Sequence, residues 1–274
     1  MLRSASCGDL MSQPSDAAAR AAAPRPSLVL PLLGGFAAIL ACTAGLFLLA
    51  SGLVFACVWA VGGAQGVVAL GERLQSLNPA MLGREAGGAT GMFLLSCVLY
   101  GCVAGGVVVY ARLRGPRAGA AMLAWRGVPP LRARHLWWLA PMAVYHAAAT
   151  TLVRWLAPDY ALSLFIPLDP ASLALSFLAV VVLAPLAEEL FFRGWLFDIL
   201  RAALPGLAAT LVCAGAFALA HWDGTGLYPL AVFVPGLALT LLRARTGSAQ
   251  ASAWAHAIYN FVGWTGLVAI SALR

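Results

Sequence analysis

The stretch "ALSFLAVVVLAPLAEELFFRGWLF", residues 174–197, sets two adjacent carboxylates and a guanidinium inside an otherwise apolar run. Apart from Glu188, Glu189 and Arg193 it is long enough to cross a bilayer, which takes roughly 20 apolar residues. A charge at the centre of such a span costs roughly 2.5–3.5 kcal/mol on insertion scales, so charges there are normally partnered and functional. Helix geometry separates the two acids. Glu189 and Arg193 stand at i,i+4 with the acid nearer the amino terminus, the favoured order for an ion pair. Glu188 lies about 100° further round the helix and faces a different neighbour.

The rest of the chain supports a membrane setting. Of its 274 residues, 62% are hydrophobic and 10% charged, against roughly 25% charged in a soluble domain. From Ser27 to Gly71 there is no charge at all. The predicted fold is an all-α polytopic transmembrane bundle of about seven spans, within a range of six to eight. The expected spans cover residues 30–62, 89–110, 136–153, 171–200, 207–221, 228–243 and 248–270. The first 26 residues, rich in Ala, Ser, Pro and Arg, read as a disordered tail without a cleaved signal peptide. Residues 27–170 form transmembrane helices without a motif, and residues 171–274 carry the chemistry.

The net charge of +7 comes from Arg alone among the basic residues. Arg112, Arg114, Arg117, Arg126, Arg132 and Arg134 crowd one connector between spans, the positive-inside pattern of a cytoplasmic loop. The charge therefore argues for membrane lipid headgroups and against a nucleic-acid partner. Asp159 and Asp169 mark an extracytoplasmic connector, and seven spans place the amino terminus in the cytoplasm. The Lys-free, Ala-, Gly- and Arg-rich composition suggests a bacterial inner membrane. The six cysteines show no CxxC and no regular spacing, so they read as small hydrophobes. His135 reads as interfacial beside Trp137 and Trp138, His146 as a core histidine, and Asp198 with Arg201 as a surface pair.

Two further segments can supply partners for Glu188. "FALAH" (217–221) stacks Phe217 one turn before His221, and "HAIYN" (256–260) puts His256 and Asn260 on one face of an apolar helix. Counted at 1.5 Å per residue from the expected helix ends, Glu188, His221 and His256 fall at similar depths. A partly desolvated Glu188 suits general-base work near neutral pH, with His221 sharing and orienting a water. His256 and Asn260 can donate toward an oxyanion as a carbonyl turns tetrahedral. The set fits amide hydrolysis by activated water, and no Ser or Cys nucleophile lies within these motifs.

The motifs "EELFFR" (188–193), "FALAH" and "HAIYN", in this order, resemble the CPBP family of intramembrane proteases, which includes CAAX prenyl endopeptidases and bacteriocin-processing proteins. The resemblance covers roughly residues 171–262. It implies that Glu188 and His221 activate water, that His256 and Asn260 form the oxyanion site, and that Glu189, Arg193 and Phe217 support them. The expected function is an intramembrane endopeptidase acting on a membrane-associated peptide or membrane-protein substrate, as a glutamic protease or a metalloprotease. The alternative is a non-proteolytic membrane scaffold or immunity-type protein that keeps the fold. No cofactor is favoured. A divalent metal such as zinc, held by Glu188, His221 and His256, is the alternative, although the chain lacks an HExxH.

Overall fold

A computed structural model of the chain describes residues 27–76, 86–125, 137, 139–156, 166–222 and 226–273. The expected amino-terminal tail lies outside these residues, as do Cys7, His135, Trp138, Asp159 and much of the basic connector. Of His146, only its place in a helix is described.

Among the described residues the structure is all helix. Its eight helices are α1 (Val29–Ser76), α2 (Ala86–Leu113), α3 (Pro116–Leu123), α4 (Leu139–Leu156), α5 (Pro170–Ala203), α6 (Gly206–Ala220), α7 (Leu227–Thr246) and α8 (Ala249–Ala272). Each of the seven expected spans has a helix at its place. Four are long and apolar enough to cross a membrane: Val29–Ala69 within α1, Gly91–Leu113 within α2, α5 and α7. Large apolar side chains also stand bare on the outside, among them Leu48 at 70% and Val61 at 92% exposure. A surface of this kind is at home in lipid, and the chain is an integral membrane protein.

Two local expectations are corrected. The first span, expected to end at residue 62, is continued by helix through Ser76, because α1 resumes after a break at Gly63. That break has φ 54° and ψ −148°, a conformation that only glycine adopts easily. The basic connector, read as a plain loop, contains α3. Pro116 starts that helix with its ring at a position needing no amide, and Ala124 closes it in a left-handed conformation. The Ala124 carbonyl then accepts the amide of Ala249 at 3.1 Å, tying the end of α3 to the start of α8.

Close approaches of small residues assemble the bundle, as expected where lipid supplies no hydrophobic drive between helices. A Cβ at Gly106 of α2 would lie 2.9 Å from the Thr43 backbone nitrogen of α1, and one at Gly236 of α7 would lie 2.8 Å from Phe217 of α6. The core between these contacts holds Val107, Trp195, Phe197, Leu200, Cys213 and Phe217, all nearly fully buried.

Helix α5 positions the site. The Asp169 carboxylate caps it by accepting the Ser172 amide at 2.9 Å, and Pro170 occupies its first turn. It is not a regular α-helix. Two widened π-helical stretches, Phe177–Leu183 and Glu189–Leu196, flank the α-helical turn Ala184–Glu188. Pro185 gives a reason for the first, since a proline inside a helix clashes with the carbonyl four residues back and has no amide to donate. Widening the turn before it relieves the clash.

Candidate active site

The two carboxylates of α5 diverge as helical phase requires. Glu189 is fully buried, and its Oε1 accepts Arg193 Nη1 at 2.7 Å. The same oxygen lies 3.0 Å from His256 Nδ1. An ionised carboxylate only accepts, so His256 Nδ1 carries the proton and donates it to Glu189. Glu189 Oε2 is buried without a hydrogen-bond partner among the described residues.

Arg193 is as enclosed as its partner. Its Nε donates to Thr240 Oγ1 at 3.3 Å and its Nη2 to the Gly236 carbonyl at 2.8 Å. The guanidinium also lies over the Phe217 ring, 4.3 Å from the centroid. Arg193 thus ties α5 to both α6 and α7.

Glu188 faces the other way and meets both expected imidazoles. Its Oε2 lies 4.0 Å from His221 Nε2 and 3.9 Å from His256 Nε2. Both separations exceed a direct hydrogen bond, and they are the kind a shared water spans. His221 caps α6, and its Nδ1 lies 2.8 Å from the Phe217 carbonyl. A carbonyl only accepts, so His221 Nδ1 bears a proton and donates it to Phe217, while Nε2 faces Glu188. Phe217 organises both histidines: its ring packs against His221 at 4.6 Å and edge-on to His256 at 5.8 Å.

Asn260, one turn beyond His256 on α8, points one amide hydrogen at the Val180 carbonyl of α5, 2.9 Å away. The structure therefore gathers Glu188, His221 and His256 around one point. Glu189, Arg193 and Phe217 stand directly behind them, and Asn260 is anchored to the backbone of the same helix. Asp198 of the expected pair has Arg243, Arg114 and Arg201 within electrostatic reach, with no ion pair to Arg201 closer than 4 Å among the described residues. Arg201 lies over the Phe197 ring instead, 5.8 Å from its centroid.

The donor types suit a divalent metal: one carboxylate oxygen and two imidazole nitrogens, each imidazole anchored through its other nitrogen. The spacing does not. Zinc bonds of about 2.0–2.1 Å set tetrahedral ligand atoms about 3.4 Å apart, less than the separations at Glu188. Among the described residues no group of three His, Cys, Asp or Glu is disposed to hold a metal ion.

Sequence reasoning missed three participants. Thr240 and Gly236 reach Arg193 from α7, and Tyr228 packs its ring 5.9 Å from that of His221. A Pro-Gly step inside an apolar helix was a signal for close approach at Gly236, since that pair costs helix stability unless packing requires it. Nothing in the pattern singled out Thr240 or Tyr228.

Residues 170–262 match the family model described as Rce1-like, the type II CAAX prenyl endopeptidases. No curated protein and no solved structure matches the chain. The matched segment includes every residue of the site, and the family it resembles is one of peptide hydrolases.

Proposed function

We propose that this Rce1-like segment makes the chain an intramembrane endopeptidase that hydrolyses a peptide bond of a membrane-associated peptide or protein. Residues 171–274 form the catalytic core, within a bundle of seven spans in a bacterial inner membrane. The observation that supports this most is the approach of Glu188 Oε2 to the Nε2 atoms of both His221 and His256, from three different helices.

The chemistry follows from the proton positions. A water between Glu188 Oε2 and His221 Nε2 donates to one and is oriented by the other. As its oxygen attacks the peptide carbonyl, Glu188 takes the proton and the carbonyl oxygen gains the negative charge. His256 faces that oxygen through Nε2, and donation from there takes a proton on both ring nitrogens, because Nδ1 already donates to Glu189. Glu189 acts as the orienting acid behind the ring, as in a carboxylate–histidine pair. The second amide hydrogen of Asn260 is available to the same oxygen. When the carbon–nitrogen bond breaks, Glu188 returns its proton to the leaving amine, giving a free amine and a new carboxylic acid, which then loses its remaining proton to water.

The experiment is proteolysis by the purified chain in proteoliposomes, with membrane proteins of its host as substrates. Glu188→Gln is expected to lower turnover by at least about a thousandfold with the fold intact, as removal of a general base together with its charge predicts. Stringent chelation is expected to leave the native activity unchanged. Undiminished cleavage by Glu188→Gln would end the proposal. Loss on chelation, reversed only by a divalent ion, would replace the mechanism with a metal-dependent one.

A further inference from the structure

The widened turns of α5 have a consequence for its backbone. In the first, the Ala184 amide reaches back five residues to the Ala179 carbonyl. The next residue able to serve Val180 is Pro185, which has no amide hydrogen. The Val180 carbonyl is therefore left bare at both the four-residue and the five-residue spacing. Asn260 Nδ2 fills that place at 2.9 Å. The second turn repeats the pattern. The Phe197 amide passes over the Arg193 carbonyl to that of Phe192, and the buried Arg243 donates Nε to the Arg193 oxygen at 3.0 Å. Side chains from α8 and α7 thus complete the main-chain hydrogen bonding on either side of the turn that carries Glu188.

Helical phase shows what depends on this. A slip of one residue rotates the helix face by about 100°, the angle that separates Glu188 from Glu189. Such a slip would bring Glu189 round toward His221 and take Glu188 out of the site. We infer that Asn260 is a positioning residue: it holds the π-helical register of α5 through the Val180 carbonyl, and so keeps Glu188 facing the two histidines. This role is separate from donation to a substrate oxygen, and only its effect on turnover rests on the peptidase reading.

The test is a cycle of Asn260→Ala and Pro185→Ala in the full chain. Pro185→Ala restores an amide that can serve Val180, so it relieves the need for Asn260. In the native background Asn260→Ala is expected to lower the thermal midpoint by about 3–6 °C, the scale of one buried carbonyl left unsatisfied. In the Pro185→Ala background the penalty is expected to shrink to less than half. Turnover lost in Asn260→Ala is expected to recover at least tenfold in the double variant, with KM unchanged. An equal thermal penalty in both backgrounds overturns the inference. So does thermal relief without recovery of turnover, which would leave donation to the substrate oxygen as the whole of Asn260's part in turnover. The thermal arm needs no substrate, so it stands or falls apart from the peptidase reading.

Discussion

At the scale of the residue, two adjacent glutamates do different work because the helix points them at different neighbours. Glu189 is buried between a guanidinium and an imidazole, and removing it strands both. Breaking a buried pair by deleting one partner costs about 3–5 kcal/mol, most of it the uncompensated charge that remains. Glu188 keeps slight exposure and makes no direct ion pair closer than 3.9 Å, so its loss leaves little unsatisfied. Glu189→Ala is therefore expected to destabilise the chain by about 3–5 kcal/mol, and Glu188→Ala by under about 1 kcal/mol. Unfolding of both variants in the same micelles checks this. Equal destabilisation would show that the division of labour is misread. This division was legible in the sequence, because an i,i+4 pair and a 100° offset need only helical geometry. The bond from His256 to Glu189 was not. One imidazole has two nitrogens, and which carboxylate each one meets depends on how α8 rotates against α5.

At the scale of the element, α5 to α8 meet through small residues and one aromatic ring. Phe217 is enclosed by Arg193, His221, His256 and Phe192, so it has nowhere to retreat. A Cβ at Gly236 would sit 2.8 Å from its ring. Gly236→Ala is therefore expected to cost about 1–3 kcal/mol by overpacking, and to lower turnover further by moving His221 through the Phe217 carbonyl. Turnover compared at a temperature where both proteins remain folded separates the two effects. Wild-type values of both would mean that α6 and α7 part easily. The span positions of α5, α6, α7 and α8 could be read from hydrophobicity and Pro-Gly punctuation. The π-helical turns could not, since Pro185 announces a break without saying how the chain absorbs it. Helix α3 was also hidden. Its eight residues, "PRAGAAML", are short and sit among arginines, so the charge pattern of a connector masked them.

At the scale of the whole molecule, the contacts sort the helix ends into two levels. Ile166 donates its amide to Ser271 Oγ at 3.3 Å, which sets the end of α8 beside the start of α5 and Asp169. At the other level, the start of α8 is tied to the end of α3 through Ala124, and α3 follows directly on the Arg-rich end of α2. Arg243 and Arg245 of α7 and Arg201 of α5 fall in the last turns of helices that end on this side. Charge asymmetry of this kind fixes orientation in a bilayer, with the arginine end in the cytoplasm. Reporter fusions should therefore give opposite results at two sites. A reporter after Leu204, between α5 and α6, is expected to show a cytoplasmic location, and one after Leu273 an extracytoplasmic one. The expectation follows from three crossings, by α6, α7 and α8, between the two sites. It also follows independently from the hydrogen bond between Ile166 and Ser271. Both reporters on one face would mean that one of the three helices between the two sites, α6, α7 or α8, does not cross, and that the acidic and basic ends are not separated by the membrane as the arginine pattern requires.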